Sequence, residues 1–301
     1  MSGSRRVLLV GGGGGLVGRH LLAEFRRDSK ITSVHRTPVR DETGPEVEFH
    51  RGDVAEIPDW RPLLQGVDLV VNVAWYRTGS TRRFRPLTDG LLRLVAAAVE
   101  SGTPRFVHIS VPDAPMRLER SLPYMVLKRE VDRAVERSGL PYSIVRPTML
   151  FAPHDKLVTV MMRTIARYHR FPMFGTGGYH ISPLAAQDLA RIVRRESEAA
   201  PSRTVAVGGP RRWEYRELTD AMFAALRLPP RYFSLSEAGA IRLARLLEAV
   251  GSSLLYAYEV EWLVSDMLGL PPYEGLGEPL RPVEPFLSEE AARLRPAGER
   301  R

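Results

Sequence analysis

Residues 7–22 read Val7-Leu8-Leu9-Val10-Gly11-Gly12-Gly13-Gly14-Gly15-Leu16-Val17-Gly18-Arg19-His20-Leu21-Leu22. A short apolar run leads into five glycines, and apolar side chains then recur at 17, 21, 22 and 25, the spacing of one helix face. The stretch predicts strand, tight turn, helix. Glycines in such a turn place no Cβ between backbone and ligand, and the helix start offers free N–H groups and the positive end of its dipole. That combination suits a pyrophosphate, so the turn predicts a dinucleotide site. Two registers fit: Gly12, Gly15 and Gly18 form Gly-x-x-Gly-x-x-Gly, and Gly13, Gly15 and Gly18 form Gly-x-Gly-x-x-Gly. The further glycines at 11, 13 and 14 are expected to loosen the turn. A ligand-free glycine hinge is the competing reading, and the flanking strand and helix weigh against it.

Working outward, strands are expected at 31–35, 47–50, 68–74, 105–110 and 142–145, with helices at 86–100 and 124–138 between them. The third strand runs into Gly52-Asp53-Val54, and the fourth is apolar throughout, as in a sheet buried on both faces. Alternating strands and helices imply right-handed crossovers and an α/β doubly wound parallel sheet, a Rossmann fold. Residues 1–150 form the dinucleotide-binding domain in this reading, and 151–301 a smaller, mostly helical substrate lobe interleaved with it. Within that lobe 156–168, 187–196 and 214–226 read as helices, 171–178 as a loop, and 204–207 as a strand returning to the sheet. From 234 to 268 the chain reads as largely helical, and the proline-rich tail after Pro271 as lying over the surface.

At 301 residues and 44% apolar composition the chain can bury a large core. Cysteine is absent, which excludes disulfides, thiolate metal sites and a cysteine nucleophile; no other metal-ligand spacing stands out. The net charge is +8, yet the basic residues are almost all scattered arginines, which argues against a nucleic-acid partner. There is no long apolar run and no signal-peptide hydrophobic region, so a cytoplasmic protein without membrane contact is expected.

Ligands of doubly wound sheets bind beyond the carboxyl ends of the strands. After the second strand come His35 and Arg36, where an acidic residue would suit NAD; arginine suits the 2′-phosphate of NADP, with NAD as the alternative cofactor. Arg19 and Arg40 are placed to assist. Asp53 can accept from the adenine amino group or cap a turn. Ser110 ends the fifth strand, and Tyr124 and Lys128, four apart, share a helix face beside it. A nearby ammonium lowers a phenol's pKa toward working pH, which makes Tyr124 an acid or base for a carbonyl or alcohol whose oxygen Ser110 polarises.

In their order and spacing, VGGGGGLVGRHLL, RGDV, VDLVVNVA, RFVHIS, YMVLK, YSIVRPTMLFAP and AVGGPRRWEYREL resemble the short-chain dehydrogenase/reductase superfamily, in its extended or atypical branch, over residues 5–230. The stretch at 268–272 is similar to the subgroup of sugar-nucleotide-epimerase-like proteins and the complex I accessory subunit. The resemblance implies that Gly12, Gly15, Leu16, Val17 and Gly18 hold the pyrophosphate, Asp53 and Val54 the adenine, and Ala74 the adenosine side. It makes Ser110, Tyr124 and Lys128 the catalytic set, with Lys128 also on the nicotinamide ribose and Arg146, Pro147 and Thr148 bordering the nicotinamide. Gly11 stands where the family often has threonine, Leu87 near where it has asparagine, and Trp75 where it has a small residue.

Trp75, Tyr76, Arg77, Phe84, His154, Tyr179 and His180 are expected to face a small-molecule substrate, either a secondary-metabolite ketone or a nucleotide sugar. The activity expected is that of an NADP-dependent oxidoreductase in which Tyr124 moves the proton. The alternatives are a non-redox epimerase, dehydratase or cyclase that retains NAD(P), and a nucleotide-binding structural or sensor protein without turnover. A homodimer is compatible with the alanine-rich helix faces.

Overall fold

The computed structural model describes residues 4–12, 15–36, 46–78, 81–153, 155, 157–252 and 255–294. Gly13, Gly14, Arg40 and His154 lie outside the described residues. Two compact units are present. The first comprises residues 1–147, 186–206 and 275–277, and the second 148–185, 207–274 and 278–301. The boundary expected at 150 thus falls at 147, and two later segments return to the first unit.

In the first unit, β1 (Arg5–Val10) leads through the glycine turn to α1 (Gly18–Phe25), and β2 (Ser29–His35) and β3 (Val47–Arg51) follow. The short α2 (Arg61–Leu64) precedes β4 (Leu69–Asn72), α3 (Thr81–Glu100) and β5 (Phe106–Ile109). Then come α4 (Met116–Ser121), α5 (Pro123–Arg137) and β6 (Tyr142–Pro147). Among the described residues seven strands make one sheet, in the order Arg203–Val207, β6, β5, β4, β1, β2, β3. The pairs from β3 to β6 are all parallel. Val7 through Val10 are nearly solvent-free, as befits a central strand covered on both faces. The strand order reverses between β1 and β4, which opens a crevice at their carboxyl ends. Leu8, Val34, Val70, Phe106 and Ile144 from the strands pack with Leu91, Leu94 and Val131 of α3 and α5 into one core.

Helix α3 begins at Thr81 rather than at Pro86, which lies inside it. So near the helix start proline removes one early hydrogen bond, and burial of Phe84 and Leu87 outweighs that loss.

The second unit has its own core, with Met162, Ile165, Leu218 and Phe223 at its centre. Two expectations fail there. Phe171–Phe174 is a strand, not a loop, paired in parallel with Tyr232–Leu235. The tail is not a surface strap, because the helix Val283–Leu294 buries Val283, Phe286, Leu287 and Ala291 in that core. The prolines before and within its first turn are compatible with a helix start. No helix among the described residues is long and apolar enough to cross a membrane.

Candidate active site

The crevice at the switch point holds a cavity of about 340 Å³, walled by the glycine turn, by His35 and Arg36 after β2, by Asp53 and Val54 after β3, and by Ala74, Trp75 and Tyr76 after β4. Gly12, Gly15, Leu16, Val17 and Gly18 all line it. The turn is not loosened at Gly11. Its φ is +82°, its N–H donates to the Val34 carbonyl at 2.9 Å, and a Cβ there would sit 2.5 Å from the Ala74 backbone. Gly18 is as confined, since its Cβ would lie 2.5 Å from the Gly12 carbonyl carbon. Gly15 differs, because among the described residues a Cβ there meets nothing nearer than 3.9 Å. The cavity borders that open position. α1 begins without a side-chain cap and without an acidic residue in its first turn, so its dipole and N–H groups suit an anion. These features fit the pyrophosphate of a dinucleotide.

At the ribose end, Tyr76 donates a short hydrogen bond to Asp53 Oδ1, which also accepts from the Ala55 N–H at 3.0 Å. Asp53 is therefore a turn cap in this structure. Burial, then the bond to Asp53, push the Tyr76 phenol above its usual range. The Arg36 guanidinium lies 4.8 Å from the Tyr76 ring centre, and its Nε is 3.9 Å from Asp53 Oδ2. This ion pair is long and Arg36 is exposed, so it is worth at most about 1 kcal/mol and leaves the guanidinium available to a phosphate. Tyr76, expected on the substrate side, is thus brought to Arg36 and Asp53, and Arg77 is half-buried beside it in the chain.

At the other end, Trp75 gathers Phe84 and two side chains of the expected catalytic set. Phe84 stacks on it at 5.6 Å, Tyr124 meets it edge-on at 5.3 Å, and Lys128 Nζ sits 4.2 Å from its ring centre. Pro123 starts α5, which sets Tyr124 and Lys128 one turn apart, and both are buried. Lys128 Nζ donates to the Ile109 carbonyl at 3.1 Å, beside Ser110. Burial pushes the Lys128 ammonium down to about 7, with Asp132 opposing and Arg129 adding. Lys128 and Pro147 do not line the cavity themselves.

Sequence reading missed a buried polar group under this site. His108 of β5 and Asp132 of α5 face each other, with Nε2 3.4 Å from Oδ1, and Asp132 Oδ2 accepts from Arg129 at 2.8 Å and Arg146 at 2.9 Å. Burial opposes the ionised carboxylate, but His108 and Arg146 hold Asp132 well below the usual carboxylate range, and the buried Ser110 hydroxyl has no hydrogen-bond partner among the described residues. Burial pushes the His108 imidazole below its ordinary value, with the bond to Asp132 opposing. A signal was present, because Asn72 and His108 are polar residues inside apolar strands and Asp132 continues the Tyr124–Lys128 spacing.

Arg146 is occupied by Asp132 and Asp113, and Thr148 donates to the Leu268 carbonyl at 2.6 Å. Tyr179 and His180 belong to the second unit. Tyr179 packs on Tyr215 at 5.1 Å, and His180 Nδ1 lies 3.0 Å from Asp266 Oδ1.

A parallel sheet of this order, with a glycine turn opening onto its switch point, is the Rossmann arrangement of a nucleotide-binding protein. The model of the NAD(P)H-binding family matches residues 12–167, over half of the chain, and the chain belongs to that family. It is 25% identical to the (4-alkanoyl-5-oxo-2,5-dihydrofuran-3-yl)methyl phosphate reductase of Streptomyces griseus, over 96% of this chain and 100% of that one. Protein FMP52, mitochondrial, of Chaetomium globosum is 29% identical over 49% of this chain and 67% of its own. A nucleoside-diphosphate-sugar epimerase from Staphylococcus aureus shares the fold, with a TM-score of 0.77, 18% identity, and coverage of 94% of this chain and 99% of that one.

Proposed function

We propose that the chain is an NADP-dependent oxidoreductase acting on a carbonyl or alcohol of a small molecule. The observation that carries this reading is the meeting of Tyr124 and Lys128 on Trp75, a wall of the dinucleotide cavity. When bound, the nicotinamide gives or takes the hydride. Tyr124 Oη gives or takes the proton at the substrate oxygen, and Ser110 Oγ donates a hydrogen bond to that same oxygen. Lys128, when charged, favours the phenolate of Tyr124. Arg36 binds the 2′-phosphate, because the end of β2 carries histidine and arginine rather than a carboxylate. The end-to-end match to a reductase supports net redox chemistry over the epimerase-type alternative. The cytoplasm is the proposed location.

The test follows reduced-nicotinamide absorbance with a panel of ketones and nucleotide sugars. Consumption of NADPH in step with substrate supports the reading, with Tyr124→Phe lowering kcat by about a hundredfold or more. Unchanged turnover in Tyr124→Phe overturns the role given to Tyr124. Turnover on a tightly held cofactor without net absorbance change identifies the epimerase-type alternative instead.

A further inference from the structure

Lysine occurs only at positions 30, 128 and 156, in a chain with 43 basic residues. Lys128 is buried, at 3% exposed. On α5, Tyr124, Lys128 and Asp132 stand at successive four-residue steps, hence on one face. Asp132 is 1% exposed and is held from three elements. Arg129 reaches it along α5, Arg146 from β6, and His108 from β5.

The contact with His108 is fixed from a distance. The Ala74 N–H donates to Asn72 Oδ1 at 3.0 Å, which turns the amide so that Nδ2 donates to His108 Nδ1 at 2.9 Å. The neutral imidazole then carries its proton on Nε2, the nitrogen that faces Asp132. A continuous chain of polar contacts therefore runs from the cavity wall at Ala74 to the carboxylate one turn beyond Lys128.

We propose that Asp132 is a positioning residue that sets the charge state of Lys128, with its own place fixed by His108, Asn72 and Ala74. Asp132 is the carboxylate that offsets the desolvation of the Lys128 amine, and Arg129 opposes it; His108 faces Asp132 from β5. Asp113 and Glu119 lie farther out, paired with Arg146 and Arg129. Without Asp132 the buried amine would be neutral at physiological pH and would not favour the phenolate of Tyr124. That catalytic consequence rests on the proposed role of Tyr124 and Lys128, while the electrostatic link does not.

The test is a pH titration of the full chain carrying 13C-labelled lysine, followed by NMR without cofactor or substrate. Three lysines give few resonances, and Lys128→Arg identifies the one that matters. In the unsubstituted protein the Lys128 midpoint is expected near 7. In Asp132→Asn it is expected to fall by about one unit or more, and Asp132→Glu is expected to restore it. Removing one member of a buried pair destabilises a fold, so Asp132→Asn/Arg146→Gln, which removes both charges, is read alongside.

A midpoint that stays within about half a unit in the folded Asp132→Asn or double variant overturns the proposal and reduces Asp132 to an anchor for Arg129 and Arg146. So does an unsubstituted Lys128 titrating near its ordinary value. Failure here leaves the oxidoreductase reading intact, because no substrate or dinucleotide takes part.

Discussion

The indole of Trp75 lies 4.2 Å from Lys128 Nζ and 5.3 Å from the Tyr124 ring, and it lines the cavity in which the dinucleotide is proposed to bind. Its ring N–H is buried with no acceptor among the described residues, which leaves it a donor for a ligand. Trp75 should therefore report occupancy of the cavity. Adding oxidised dinucleotide, which does not absorb in the emission range of tryptophan, is expected to quench the intrinsic fluorescence. Trp75→Phe should lose most of that quench while Trp60, Trp213 and Trp262 remain. A quench of equal size in Trp75→Phe would place the ligand elsewhere.

Arg36 decides the preferred cofactor in the proposed reading. Its pair with Asp53 is 3.9 Å long, so little is lost when a phosphate replaces that partner. A hydrogen bond to a charged group contributes about 1.5–3 kcal/mol, and about 1.4 kcal/mol is tenfold in affinity. Arg36→Gln is expected to weaken NADPH binding by about tenfold or more and NADH binding by less than about threefold. Calorimetric titration with both cofactors checks this, and equal losses for the two would remove the 2′-phosphate from the account.

Two glycines of the turn should separate fold from ligand. Alanine at position 11 must adopt a φ of +82° and overlap the Ala74 backbone, so Gly11→Ala is expected to cost about 2 kcal/mol or more and to lower the melting temperature. Alanine at position 15 meets no described residue closer than 3.9 Å and no left-handed φ, so Gly15→Ala should melt as the parent does. Its methyl would occupy the room left for the pyrophosphate, and dinucleotide affinity should drop. Reversed outcomes would exchange the roles of the two positions.

How far the sequence can be read follows from where each signal resides. Val7–Val10 and Leu69–Val71 announce buried parallel strands because uninterrupted apolar runs are what two covered faces require. Ser110, Tyr124 and Lys128 could be singled out because a strand end and a four-residue helix step are both visible in one dimension. Phe171–Phe174 is invisible in the same way, since its strand character depends on pairing with Tyr232–Leu235, sixty residues onward. Tyr76 sits in a loop without periodicity, so nothing local announces its bond to Asp53. The helix Val283–Leu294 was masked by its prolines, although Val283, Phe286, Leu287 and Ala291 carry helical spacing. His108 and Asp132 were legible only as polar interruptions, and their partnership is purely spatial.

Burial of Lys128 has a consequence for stability that needs no ligand. An unfolded lysine titrates near 10.5, and burial brings the folded one to about 7. Between these values the unfolded chain binds a proton that the native chain lacks, so native stability gains with pH across this window. The slope reaches about 1.4 kcal/mol per pH unit for one such group. Lys128→Met removes the titrating amine and with it that rise. Guanidinium unfolding at pH 7 and pH 9 is expected to show a higher midpoint at pH 9 for the parent and a much smaller change for Lys128→Met. Above this range the buried phenols of Tyr179 and Tyr215, which burial pushes up, would lose stability as they are forced to ionise, so the comparison belongs below pH 10. Equal changes in the two proteins would mean that the Lys128 amine is solvated in the native state.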